Sequence, residues 1–364
     1  MSGAEGSASV ATQKTNSPVA TPNRSSSPAN SAPAANNSPN SHSEKPPLFA
    51  GGWLIHAKLL FVVAVWGLGW VAGREVAMGM PASFAAWLRY AMVAPLFFIW
   101  MIWKEGDLSR EATGKVLFVP RGKDFKDIAI MAVFATVLYQ LFFMHGMART
   151  AAGDASVIIT FNPGFTALIA IPLIGRKMTP KLGFGLLVGL AGVAIVTGWS
   201  PNSDIPAEQR IVGDFLIMCA AASWAVSTNL MKRILEGSQG ETSVALTPLS
   251  IIVWVSFLGW LMLTPFALYD FAIHGFAVLP NTGEFLWLAY LAVFSTMLSY
   301  VWFADGVDEI GATASATYVY LVPFFGILSG WLLLSESIGW SLAVGLGLIV
   351  VGVKISQSES NEAT

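Results

Sequence analysis

The chain has 364 residues, of which 54% are apolar and only 12% charged, with a mean hydropathy of +0.62. An ordinary soluble domain carries about 25% charged residues, so a water-soluble globule is excluded and a polytopic membrane protein remains. A formal net charge of −2 offers no basic field for nucleic acid, and the one cysteine, Cys219, excludes an intrachain disulfide and a cysteine-based metal site.

Residues 1–50 are dominated by Ser, Ala, Pro and Asn. So little of this segment can be buried that chain entropy predicts a disordered tail. It has no apolar stretch of the kind a secretory signal carries. Ser17-Pro18, Ser27-Pro28 and Ser38-Pro39 are candidates for proline-directed phosphorylation, although Ser-Pro arises by chance in such a composition. Sequons at Asn23-Arg24-Ser25 and Asn36-Asn37-Ser38 are discounted, because the topology below puts them in the cytoplasm.

A helical span needs about 20 mostly apolar residues. Ten such runs follow, at 55–74, 83–103, 127–147, 153–174, 179–199, 212–232, 249–270, 284–305, 312–334 and 337–356. None shows the period-2 alternation of a barrel strand, so the expected fold is all-α with ten transmembrane helices. Orientation follows from the lysines and arginines. With the N-terminus inside, the inner loops carry Lys104, Arg110, Lys115, Arg121, Lys123, Lys126, Arg176, Lys177, Lys181, Lys232 and Arg233, against Arg74, Arg149 and Arg210 outside. Both termini are expected in the cytoplasm, with the plasma membrane as the expected address.

Residues 128–195 superimpose on 288–355 without a gap. Ala132–Leu138 (AVFATVL) meets Ala292–Leu298 (AVFSTML), Phe143 meets Phe303, Gly146 meets Gly306, and Pro163 meets Pro323. Upstream, Trp66 aligns with Trp224, Arg74 with Lys232, Pro81 with Pro248 and Trp87 with Trp254. The chain therefore reads as two five-helix units, 55–200 and 212–356, with a short tail at 357–364. Five is odd, so the second unit enters the membrane from the opposite side. Such inverted repeats are common in secondary transporters, with the site near the midplane between the halves.

The segments WGLGWVAGREVAMGMPASFAAWLRY (66–90), GDFLIMCAAASWAVSTNLMKRI (213–234) and ADGVDEIGATASATYVYLVPFFGILSGWLLLSESI (304–338) carry a further message. The first and second resemble the openings of two EamA-like domains, and the third resembles the closing motif with its mid-helix Pro and Leu-Leu-x-Glu-like end. The resemblance covers about 58–355. It implies the drug/metabolite transporter superfamily: ten helices in a 5+5 inverted repeat, no ATP site, and export or exchange of small metabolites. The first repeat departs from the pattern. It ends Ile174-Gly175-Arg176-Lys177 without the Glu, and it places Asn162 before Pro163 where the second repeat has Val322.

Arg89 lies inside the second span, where an arginine costs about 2.5–3.5 kcal/mol on insertion scales. It is therefore expected to face a cavity, either holding an anionic group such as a carboxylate or bracing helices. Pro163 and Pro323 break the fourth and ninth spans and are expected hinges. The polar groups beside such a break suit a cavity better than lipid, which adds Asn162. Tyr139, Gln140 and Tyr300 at mid-span, Tyr320 in the ninth span, and Trp66, Trp224 and Asn229 on the symmetry-related first and sixth spans supply polar points for a mostly apolar pocket. Each of these also has an ordinary packing role. His145 and Asp305 occupy equivalent repeat positions near helix ends and are the candidate proton carriers, with Asp154 beside them. Gly-x-x-x-Gly spacings at 69–73, 185–189 and 326–330 suit close helix packing.

The expected function is a secondary transporter that exports a small, amino-acid-like polar or amphipathic metabolite by alternating access. The partners are a small-molecule substrate and the lipid bilayer, not nucleic acid. The chain acts as a monomer or as a homodimer through spans 5 and 10. The competing readings are a membrane-embedded sensor and a lipid-handling enzyme without transport. No His-Glu-x-x-His or Walker motif is present, and no metal or cofactor is expected. A sensor would normally bring a folded soluble domain, and a channel a filter ring.

Overall fold

The computed structural model describes residues 52–112, 120, 122–175, 177–238 and 247–358. The 1–50 tail with its Ser-Pro and sequon motifs, Arg176, and residues 359–364 lie outside the described residues. Among the described residues, ten helices are long and apolar enough to cross a membrane. They are α1 (Trp53–Gly79), α2 (Ala82–Trp103), α3 (Gly122–Met147), α4 (Ala152–Leu173), α5 (Pro180–Gly198), α6 (Ala207–Leu235), α7 (Pro248–Val278), α8 (Thr282–Ile310), α9 (Ala314–Leu334) and α10 (Trp340–Gln357). The bundle is all-helical, as a bilayer demands, because lipid cannot serve an unpaired backbone N–H or C=O. The chain is an integral, multi-pass membrane protein.

Several helices run past their apolar cores. α8 extends to Ile310 where the hydropathy predicts 305, and α7 to Val278 where it predicts 270. Helix starts are fixed by capping chemistry. Thr247 and Ser250 form a reciprocal capping box at α7, as do Asn281 and Glu284 at α8, and the Thr179 hydroxyl accepts from Leu182 N–H at α5. Pro180 and Pro248 occupy first-turn positions, where no N–H is needed.

The end of the bundle at which α1 begins is called proximal, and the opposite end distal. The two repeats interlock rather than sit side by side. α1 packs against α8 and α9, and its repeat mate α6 packs against α3 and α4. α2 lies along α7, and α5 along α10. The α5–α10 seam is backbone on backbone. A Cβ on Gly185 would fall 2.6 Å from the carbonyl oxygen of Gly352, and one on Gly192 would fall 2.6 Å from that of Gly345. The glycine faces of α5 and α10 thus pack against each other within the chain.

One feature escapes hydropathy altogether. α3 and α8 each contain a wide, π-helical turn, at Val133–Leu138 and Val293–Leu298. These are the segments whose sequences match between the repeats. Extra acceptors in such a turn are served by side chains: Thr296 Oγ1 donates to Leu291 O at 2.7 Å, and Ser299 Oγ donates to Phe294 O at 2.7 Å. Both bonds span five residues, the register of a π turn.

Candidate functional site

The wide turn of α8 faces two residues of the first repeat. Arg89 of α2 donates from Nη2 to Thr296 Oγ1 at 3.0 Å, and Trp66 of α1 donates from Nε1 to Ser295 O at 3.0 Å. Tyr300, one turn on, meets Trp66 edge-on at 6.4 Å between ring centroids and Phe97 edge-on at 6.2 Å. A second aromatic cluster joins the repeats from the other side. Tyr139, just past the wide turn of α3, lies 5.4 Å from Trp224 of α6 and stacks on Phe143 at 6.0 Å. Arg89, Tyr90, Tyr139 and Tyr300 lie close enough to feel one another electrostatically. Tyr139 and Tyr300 are surrounded by protein yet keep accessible surface. Both sit where the two repeats meet, and the space among these side chains is the candidate cleft.

Arg89 makes this cleft polar. Its Nε is buried without a hydrogen-bond partner, and among the described residues no carboxylate pairs with it. The repeat alignment places Ser256 where Arg89 stands in the first repeat, so the bundle has one arginine here rather than a symmetric pair. Gln140 is almost fully buried with its Oε1 unpartnered, and Asn162 Oδ1 is likewise unpartnered. Asn229 is bound up differently. Its amide donates to Thr166 O at 3.0 Å and to Ala225 O at 2.9 Å, so it braces α6 against α4 behind the cleft. Tyr320 is half-buried at a turn in α9, where its N–H returns to Thr317 O.

The expected hinges mark real breaks. Before Pro163, α4 tightens into a 3₁₀ turn at Ile159–Phe161. Before Pro323, α9 is interrupted by a turn at Tyr320–Leu321. The expected proton carriers sit apart from the cleft. Asp305 forms an ion pair with Lys58 of α1 at 2.8 Å near the proximal end, and His145 lies at the distal end of α3, its carbonyl accepting from Arg149. Hydropathy gave no sign of the Lys58–Asp305 pair, since its partners are 247 positions apart.

A second polar cluster, at the distal end, is larger than the sequence suggests. Asp154 is fully buried and accepts from Ser200 Oγ and from the Asn202 amide. Asp214 accepts from Thr150 Oγ1, and Arg210 donates to Asn202 O and Thr197 O. Arg74 donates to Met147 O at 3.2 Å and to Thr150 O, and its Nε lies 3.8 Å from Glu336. Arg74 and Glu336 were visible beforehand only as a helix end and a motif letter.

Comparison with known proteins follows the same lines. The family model described as "EamA-like transporter family" matches twice, over residues 53–198 and 211–356. An "uncharacterized transporter" of Archaeoglobus fulgidus is 25% identical over 84% of this chain and 98% of its own length. A "probable amino-acid metabolite efflux pump" of Escherichia coli is 26% identical over 82% of this chain and 92% of its own. A solved crystal structure superimposes with a TM-score of 0.51 at 15% identity, covering 86% of this chain and 99% of its own, which supports the fold alone. These relatives are named as transporters, not enzymes. Two matched five-helix repeats spanning most of the molecule establish that this chain is a member of the EamA-like transporter family.

Proposed function

We propose that the protein is a secondary carrier that exports a small, amino-acid-like polar or amphipathic metabolite by alternating access. The observation that carries this reading is Arg89: a guanidinium within a membrane-crossing helix, held to Thr296 of the other repeat and paired with no carboxylate among the described residues. An anionic group on a substrate completes its coordination. Tyr139, Tyr300, Trp66 and Trp224 offer faces and edges to the apolar part. Gln140 Oε1 and Asn162 Oδ1 are acceptors left for an amino or amide donor. The relationship to a probable amino-acid metabolite efflux pump supports the same substrate class. Pro163 and Pro323 serve as the points at which α4 and α9 bend as the repeats rock, and the cytoplasmic face is the proximal one.

The test is a thermal-shift screen of purified protein against amino acids, nucleosides, nucleotide-sugars and vitamins, followed by counterflow of hits in proteoliposomes. A ligand at 100 times its dissociation constant raises apparent stability by about 2.7 kcal/mol. The expected hit is a carboxylate-bearing amphipathic solute, lost in Arg89→Ala. A hit indifferent to Arg89→Ala returns that arginine to a bracing role, and accumulation of no amino acid or related solute overturns the substrate class.

A further inference from the structure

We infer that Glu336 is the latch of a distal gate, that the first repeat carries no acid at the matching sequence position, and that the carrier rests open toward its proximal face. The inference rests on the alternating-access reading above. Its first support is one carboxylate joining the two repeats. Glu336 lies just beyond α9, in the second repeat. Its Oε1 accepts from Ala152 N–H at 2.7 Å and its Oε2 from Gly153 N–H at 2.9 Å, the first N–H groups of α4 in the first repeat. A helix start carries unpaired donors and partial positive charge, so an acid seated there is held by both. Arg74 of α1 approaches the same carboxylate and clamps the α3–α4 connection through Met147 O and Thr150 O. The pair is largely shielded from solvent, with side chains 16% and 10% exposed. Three helices from both repeats are thereby tied at one point.

The surroundings are shaped for that carboxylate. A Cβ on Gly330 would lie 2.5 Å from Glu336 Oε2, and one on Gly153 would lie 3.3 Å from it. Ser335, immediately before, holds a left-handed φ of +56°, a conformation that a non-glycine residue adopts at a cost. Glu336 N–H then turns back to Gly330 O at 3.1 Å, which aims the side chain across the seam. The first repeat makes the same left-handed turn with glycine, Gly175 at φ +75°.

The second support is an asymmetry between repeat mates. At the distal end, α4 and α9 cross in tight contact: a Cβ on Gly326 would meet Ser156 Cβ at 2.5 Å. Beyond their breaks the two helices part, α4 toward α6 through Asn229 and α9 toward α1 through the His56–Tyr318 contact. Ser156 and Val157 are fully buried, whereas their repeat mates Ala316 and Thr317 are exposed. Closing the proximal end would repeat the distal crossing with roles exchanged. The mate of Arg74 is Lys232, but the mate of Glu336 is Arg176. The sequence thus keeps a base at the mate of Arg74, in the second repeat, but no acid at the mate of Glu336, in the first.

Two reporter cysteines test this in a Cys219→Ser background: Ser156→Cys under the distal gate and its mate Ala316→Cys, each labelled with a soluble maleimide in nanodiscs. In the parent, Ala316→Cys is expected to label fast and Ser156→Cys slowly. Glu336→Gln is expected to raise the Ser156→Cys rate about 10-fold, the scale of losing charge-assisted hydrogen bonds. Arg176→Glu leaves the distal latch untouched and is expected to slow Ala316→Cys, which keeps the test alive if Glu336→Gln does not fold. Unchanged rates in a folded Glu336→Gln, or an Ala316→Cys indifferent to Arg176→Glu, overturn the latch and leave the transport reading standing. Fast labelling of both positions in the parent overturns the latch together with alternating access.

Discussion

Arg89 and Asn229 are both polar groups in an apolar bundle, and the bonds around them separate their roles. Arg89 has one fixed neutral partner, Thr296, and an unpartnered Nε, whereas the Asn229 amide is satisfied by two carbonyls. A charge-assisted hydrogen bond contributes about 1.5–3 kcal/mol. Arg89→Ala is therefore expected to weaken substrate binding by about 10- to 100-fold, with Arg89→Lys recovering only part, since an ammonium cannot reproduce the planar fork. Titration by calorimetry or thermal shift reads the difference. Asn229→Leu is expected to act on stability instead. Hydrogen bonds between membrane helices average about 0.6 kcal/mol, with a maximum near 1.7. The expected outcome is a modest drop in melting temperature with ligand affinity preserved within about 3-fold; a larger affinity loss would put Asn229 in the cleft. The sequence announced Arg89 because charge is rare and expensive at that depth. It could not announce that Lys58 pairs with Asp305, or that Glu336 caps α4, because those contacts depend on how distant helices meet.

Among elements, the legible part was what hydropathy and repetition record: ten spans, their duplication, and the proline breaks at 163 and 323. The wide turns of α3 and α8 stayed hidden, although their sequences, AVFATVL and AVFSTML, were the strongest match between the repeats. An apolar segment reports that it is buried in lipid or protein, not whether its hydrogen bonds span four residues or five. The glycines of α5 and α10 were legible as close-packing signals within the bundle, but not as the backbone-on-backbone contact they make. Their geometry makes a sharp prediction. A Cβ on Gly352 would lie 2.5 Å from Gly185 O, with no flexible side chain to yield, whereas one on Gly347 meets nothing within 4 Å. Gly352→Leu is expected to abolish or severely reduce monodisperse protein on gel filtration, and Gly347→Leu on the same helix to behave as the parent. Equal tolerance of both would mean that α5 and α10 do not pack as described.

At the scale of the molecule, charge and gate asymmetry point the same way. Lys58, Lys123, Lys126, Lys177, Lys181, Lys232, Arg233 and Lys354 lie toward the proximal ends of the helices. The distal arginines are few, and each is tied down: Arg74 to Met147 O and Thr150 O, Arg149 to His145 O, Arg210 to Asn202 O and Thr197 O. Lysines and arginines near span ends are retained on the cytoplasmic side during insertion. The proximal face is thus expected to be cytoplasmic, with both termini there, because ten crossings return the chain to its starting side. A fluorescent protein that folds only in the cytoplasm should fluoresce when fused at Thr364, and alkaline phosphatase inserted in the distal 200–206 connection should be active. The reverse pattern would invert the molecule and with it the direction of loading. A distal gate held shut by Glu336 means that a carrier in the expected orientation waits open to the cytoplasm, where a metabolite to be exported is found. In such a carrier, lowering the cytoplasmic substrate concentration should slow the cycle more than lowering the external one. Counterflow with substrate varied on each side of oriented proteoliposomes measures that asymmetry, and Glu336→Gln should shrink it.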